Sequence, residues 1–127
     1  MCTNDQLELT ASLTPRAVPS GTMPKLHLSV RNTSTSACRR DLGANQQELR
    51  VMDGTRRLWS SDDCYPLRGS AVWTLAPGAK RTYTLTWAAK DSVPGCAEAR
   101  KRLEPGRYDL VARVGTLIGE RTEFSIV

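Results

Sequence analysis

Apolar and polar residues take turns along most of this chain with a period of two. Leu7, Leu9, Ala11 and Leu13 are separated by polar residues, as are Leu26, Leu28 and Val30. Tyr83, Leu85 and Trp87 fall on one face, with Thr82, Thr84 and Thr86 on the other, and Tyr108, Leu110, Ala112 and Val114 make a further row. Successive side chains of a strand point to opposite faces, so this period belongs to strands buried on one side. It predicts eight strands, at 6–14, 25–33, 47–53, 56–60, 70–75, 80–88, 106–114 and 120–127. The breaks carry turn chemistry. Asp53-Gly54 is a hairpin signal. Pro77-Gly78 and Pro105-Gly106 each set a proline of fixed φ before a glycine that tolerates φ > 0. Only 97–103 has helical composition, and two turns are too short to hold alone. Short strands with a half-polar alternation imply an all-β antiparallel sandwich. A single domain of 127 residues is large enough to bury a real core.

The cysteines sit outside the alternating runs. Cys2, Cys38, Cys64 and Cys96 all fall in polar breaks, at separations of 36, 26 and 32 positions. No C-x₂-C pair is present, so the spacing suits disulfides and not zinc or a redox motif. If each strand reverses its predecessor, all four reach one pole of the sandwich. Of the three pairings, Cys38–Cys64 with Cys2–Cys96 is the working expectation, because the first bond would join the loops after the second and fourth strands. Disulfides persist in oxidising compartments, which points to an extracytoplasmic protein, secreted or in a cell envelope. The chain has no signal segment and no apolar stretch of transmembrane length. A targeting or anchoring part is therefore expected outside these residues, with Met1 an added start codon.

The net charge is +5 with 14 arginines against 4 lysines. Arginine, alanine, glycine and proline usage points to a GC-rich genome. The cations are scattered along the chain, which is an ordinary solubility charge, and no nucleic-acid partner is expected. An envelope protein is the expected partner, with an anionic cell-wall polymer as the alternative.

Chemistry is sparse. His27 is the single histidine. It alternates out of phase with Leu26 and Leu28 and should face solvent, away from any nucleophile motif. There is no nucleophile elbow, phosphate loop or dinucleotide glycine pattern, so neither enzyme, cofactor nor metal is expected. Asp41, Asp62 and Asp63 fall at the cysteine pole. Calcium would need about six to eight oxygens, so a solvated loop or, better, ion pairs with Arg39 and Arg40 are expected, with a loop cap in which an aspartate accepts from nearby backbone amides as a third reading. Of the tryptophans, Trp87 should be core. Trp59 and Tyr65 lie nearer the cysteine pole and are candidates for a contact surface. Asn32-Thr33-Ser34 matches a glycosylation sequon.

Several segments resemble a known family. Leu26-His27-Leu28-Ser29-Val30-Arg31-Asn32-Thr33-Ser34, Leu58-Trp59-Ser60-Ser61, Leu75-Ala76-Pro77-Gly78 leading to Tyr83-Thr84-Leu85-Thr86-Trp87, and Pro105-Gly106-Arg107-Tyr108 resemble the BsuPI-type intracellular proteinase inhibitor domain. The segments Ala37-Cys38-Arg39-Arg40-Asp41-Leu42-Gly43 and Trp59-Ser60-Ser61-Asp62-Asp63-Cys64 look closer still to extracytoplasmic domains of actinobacterial envelope proteins. The resemblance runs from about residue 6 to 126 and implies an immunoglobulin-like sandwich. Inhibitory activity is not carried over with the fold, since a cytoplasmic inhibitor has no use for four loop cysteines. The expected function is a non-enzymatic binding or scaffolding module acting through disulfide-pinned loops. Arg39, Arg40, Asp41, Trp59, Asp62, Asp63 and Tyr65 are its expected contact residues. The alternative, a proteinase inhibitor, would use an exposed segment at 89–94 or 14–24.

Overall fold

The computed structural model of the chain describes residues 1–64, 68–96 and 100–127. It is an all-β, immunoglobulin-like sandwich. In chain order the strands are β1 (Leu7–Thr14), β2 (Ala17–Val18), β3 (Lys25–Asn32), β4 (Cys38–Asp41), β5 (Gln47–Asp53), β6 (Arg56–Ser60), β7 (Val72–Leu75), β8 (Lys80–Thr86), β9 (Gly106–Val114), β10 (Leu117–Ile118) and β11 (Thr122–Ile126). One sheet has the order β1-β3-β8 and the other β2-β11-β9-β5-β6, with β10 beside β9, while β4 and β7 make a separate pair. Pairing is antiparallel except between β2 and β11. No helix among the described residues is long and apolar enough to cross a membrane.

The alternation does what it predicts. β1 is buried at every second residue, so Leu7, Leu9, Ala11 and Leu13 face inward. Leu26, Leu28 and Val30 extend that surface from β3, and Leu49, Val51, Leu110, Ala112, Val114, Phe124 and Ile126 meet it from the other sheet. Burying each Leu, Ile, Val or Phe stabilises the fold by about 1.5–3 kcal/mol. Trp87, 2% exposed, packs its ring 5.6 Å from Trp59 and 5.9 Å from Phe124. The expected turns are also present. Gly54 takes φ +61° as the first of two residues between Asp53 and Arg56, where a type II′ hairpin favours glycine. Gly78 takes φ +79° and Ala79 N–H donates to Ala76 O at 2.9 Å, a type II turn with proline before glycine.

All eight expected strands form, and three short ones join them. The one that matters is β4. It reads Cys-Arg-Arg-Asp and carries no apolar alternation, so only its pairing with β7, Cys38↔Leu75 through Asp41↔Val72, makes it a strand. The count of strand directions holds through β6 and fails at β7. β5 starts at the Cys2 pole, with Gln47 opposite Val114 and Arg40 reaching both Val114 O and Cys2 O, but β7 ends with Leu75 opposite Cys38 and so runs as β6 does. β8 pairs antiparallel with β3, Lys80 opposite Arg31, and β3 pairs antiparallel with β1, so β8 runs with β1 and ends at the far pole. Cys96 reaches the near pole by another route. The segment after Trp87 climbs back beside β6, with Ser92 N–H donating to Leu58 O and Gly95 N–H to Asp63 O, both at 2.9 Å.

The disulfides are Cys2–Cys38 and Cys64–Cys96, each with Cα atoms 5.0 Å apart. The expected pairs Cys38–Cys64 and Cys2–Cys96 are therefore wrong, although both bonds do lie at one end. The reason is local. β1 and β3 bring Leu7 opposite Asn32, which places the N-terminal residues beside β4, and Cys2 N–H donates to Arg39 O at 2.6 Å. The segment 97–103, which has helical composition but is too short to hold a helix alone, is extended where it is described. Leu103 N–H donates to Ala89 O at 2.9 Å and Arg102 bridges Lys90, an extended pairing, while 97–99 lie outside the described residues.

Candidate binding surface at the stapled end

The expected contact residues separate into brackets and surface. Arg39 is exposed. Arg40 is a bracket: its guanidinium donates to Cys2 O at 2.9 Å, Asn4 Oδ1 at 3.0 Å and Val114 O at 3.3 Å, which ties β4 to the N-terminus and to β9. Asp41 is another. Its Oδ1 accepts from Gly43 N–H at 2.8 Å and Ala71 N–H at 2.9 Å, pinning the loop after β4 against the residues leading into β7. Gly43 permits that approach, since a Cβ on it would sit 2.6 Å from Ala71 N. Gly43→Ala is therefore expected to force the two loops apart and destabilise the fold by about 1–3 kcal/mol, read as a lower denaturant midpoint.

The acidic residues do not meet Arg39 or Arg40, so those expected ion pairs are absent. Asp63 is 5% exposed. It accepts from Arg57 Nη1 at 3.0 Å on each oxygen, and from Ser92 Oγ at 2.6 Å. Asp62 lies 3.8 Å from Arg113. Partial burial, and then the Glu48 charge, push its carboxyl above the usual range against the pull of Arg113. Among the described residues no group of three potential metal ligands is gathered. Trp59 is not the contact residue that its position suggested: it is 8% exposed and belongs to the core. Tyr65 lies outside the described residues.

A residue that sequence reasoning passed over organises this end. Glu48 falls on the outward phase of β5, yet it is 4% exposed. Arg113 Nε donates to Oε1 at 2.8 Å, and Ser60 Oγ donates to Oε2 at 2.5 Å. Arg50 Nε lies 2.9 Å from Oε2, a charge contact whose N–H is not aimed at the oxygen. Burial opposes the charge, but the contacts to Arg50, Ser60 and Arg113 outweigh it and lower the Glu48 pKa to about 2. Ser60 N–H donates to Ser92 Oγ at 3.2 Å, so Glu48, Ser60, Ser92, Asp63 and Arg57 form one continuous polar chain. It fixes the returning segment to β6.

Above these brackets lies an open groove of about 430 Å³. Leu28, Leu49 and Leu85 line it from the two sheets, and Leu42 and Trp73 from the loop after β4 and from β7. Trp73 is 42% exposed and its neighbour Val72 is 50% exposed. The Arg81 guanidinium stacks 3.6 Å from the Trp73 ring centroid. An exposed aromatic under a cation, beside an apolar trough, is a surface able to bury a partner's side chain. The available signal was the adjacent pair Val72-Trp73: two large apolar residues in succession break the period of two, so one must face outward.

His27 is only partly exposed, wedged between the Thr14 and Thr84 hydroxyls at 2.9 Å each. Asn32 is fully buried, and its amide donates to Ser36 O and Leu75 O at 2.9 and 3.0 Å, so the sequon asparagine is a loop bracket. The segment 89–94 is not a free inhibitory loop, because Ala89 and Ser92 are buried. In 14–24 the two residues of β2 pair with β11, and the stretch from 19 to 23 is exposed.

No family model matches this sequence, and no curated protein matches it. Solved structures do. A β-glucosidase of Erythrobacter marinus aligns over 95% of this chain with TM-score 0.54 and 16% identity, covering 15% of its own length. A β-glucosidase of Listeria innocua aligns over 94% with TM-score 0.51 and 17% identity, covering 16% of its length. An alkylpurine DNA glycosylase of Pseudomonas fluorescens aligns over 95% with TM-score 0.51 and 12% identity, covering 30% of its length. The chain thus spans less than a third of each of these proteins. Identities this low carry the fold alone, a β-sandwich that occurs within larger chains.

Proposed function

We propose that this chain is a non-enzymatic, extracytoplasmic binding module of the actinobacterial cell envelope, held at the membrane or secreted by parts outside these residues. The observation that carries the reading is the groove at the stapled end: an apolar trough of about 430 Å³ beside the exposed Trp73 and Val72. Two disulfides and the Asp41, Arg40 and Glu48 brackets hold its surroundings. A surface ordered before contact loses little conformational freedom on binding, which favours affinity. The partner chemistry is that of an envelope protein presenting an apolar side chain to the trough. The disulfides support an oxidising compartment, and the resemblance of the Cys38 and Cys64 segments supports the envelope.

The site also sharpens the choice of test. Reversing Arg40 would break three hydrogen bonds, so it reports on folding as well as on binding. Trp73→Ala and Arg39→Glu are the clean variants, because both residues are exposed. In a pull-down from envelope extract of the source organism, Trp73→Ala is expected to lose the wild-type partner, with its melting temperature within a few degrees of wild type. Thr55→Ala at the opposite pole is expected to retain it. Retention of the same partner by Trp73→Ala would remove the groove from the account.

A further inference from the structure

The two disulfides differ in ways that matter chemically. Cys2 and Cys38 are 2% and 8% exposed and are closed in by the Arg39 and Arg40 contacts. Cys64 and Cys96 are both partly exposed. Cys64 lines an open cavity of about 280 Å³ together with Lys90, Arg100, Trp59 and Trp87, and Arg100 Nη1 lies 3.7 Å from Cys64 Sγ. We infer that Cys64–Cys96 is a thiol–disulfide exchange site, open to a thiolate-bearing reductant such as a dithiol oxidoreductase, whereas Cys2–Cys38 is a permanent staple.

The chemistry follows from access and charge. Exchange proceeds by thiolate attack on one sulfur, and the other sulfur leaves faster when its thiol is more acidic. A neighbouring cation stabilises a thiolate. The Arg100 guanidinium beside Cys64 therefore makes Cys64 the leaving group. The reductant thiolate bonds to Cys96 Sγ as the Cys96–Cys64 bond breaks, and Cys64 departs as a thiolate facing Arg100. The second thiol of a dithiol reductant, deprotonated, then attacks the reductant sulfur of the mixed disulfide and releases Cys96. Two electrons pass from the dithiol, which becomes a disulfide, to the Cys64–Cys96 pair, and the released thiolates equilibrate with protons from water. Lys90 and Arg100 both line the cavity on the Cys64 side, where their positive charge favours the departing thiolate.

Opening this bond is a local event. Ser92 remains tied to Asp63 and Ser60 and Gly95 N–H to Asp63 O, so the segment from Ser92 to Gly95 stays on β6 when the bond opens. The sandwich keeps Cys2–Cys38 across its N-terminal strands.

The test uses the intact oxidised protein with glutathione as a monothiol probe, quenched with iodoacetamide and mapped by mass spectrometry. Cys64 and Cys96 are expected to react at least tenfold faster than Cys2 and Cys38, with glutathione on Cys96 and the alkyl group on Cys64. Arg100→Gln is expected to slow the reaction roughly threefold to tenfold. The far-UV circular dichroism should hold throughout. Equal reaction of all four cysteines, or glutathione found on Cys64, would overturn the inference.

Discussion

Replacing Glu48 with alanine is expected to lower the unfolding free energy by about 2–3 kcal/mol, as measured by urea denaturation at constant slope. The loss comes less from the carboxylate itself than from what it leaves behind. Arg113 and Arg50 would keep their charges against a site 4% exposed in the wild type, and Ser60 Oγ would lose its acceptor. Glu48→Gln should fall between the two, since it keeps the shape and an acceptor but not the charge. The pH dependence has a definite sign. The folded-state pKa is lowered to about 2, below its ordinary value in the unfolded chain. The stabilisation is therefore complete above about pH 4.5 and lost as pH falls toward 2, on the order of 3 kcal/mol. Glu48→Gln should flatten that part of the acid limb. An acid limb equally steep in wild type and Glu48→Gln would show that the carboxylate is not held as described.

The second large effect is expected from Cys2→Ser with Cys38→Ser. The bond closes a separation of 36 residues, for which the chain-entropy account gives about 4 kcal/mol. That corresponds to a fall in melting temperature on the order of 15 °C for a domain of this size. Cys64–Cys96 closes 32 residues, so entropy alone would make the two pairs nearly equal. They should differ because Cys2 and Cys38 are buried, and the first double variant places two hydroxyls in a site packed for sulfur. Calorimetry of the two double variants, side by side, should show the Cys2/Cys38 variant melting lower. The reverse order would contradict the assignment of this bond as the structural staple.

These effects also show what was legible beforehand. Most of the eight expected strands follow from alternation, because a half-buried sheet imposes its period on the chain directly. β4 does not, because Cys38-Arg39-Arg40-Asp41 has no apolar row and becomes a strand only by pairing with β7. The count of directions sent the sixth strand to the wrong pole because β7 runs as β6 does, but the disulfide pairing turned on something local, the N-terminus lying beside β4 with Cys2 N–H on Arg39 O. The charged residues were misread for a related reason. Asp62 and Asp63 have Arg39 and Arg40 as plausible partners in a linear reading. Arg57 reaches Asp63 instead, from β6, which comes just before it in the chain. Glu48 falls on the outward phase of β5, and the alternation gives a face and not its cover. Arg50 and Arg113 close over that face. Trp73 announced itself only as a flaw in the period.

The central claim is that the stapled end, through the groove beside Trp73, is where this module meets its partner. Site-specific photocrosslinking tests it most directly. A benzophenone amino acid in place of Trp73, and separately in place of Thr55 in the hairpin at the far pole, would be expressed in the source envelope and irradiated. The account predicts a discrete adduct with an envelope protein from position 73 and none from position 55. An adduct confined to position 55, or equal labelling from both, would contradict it.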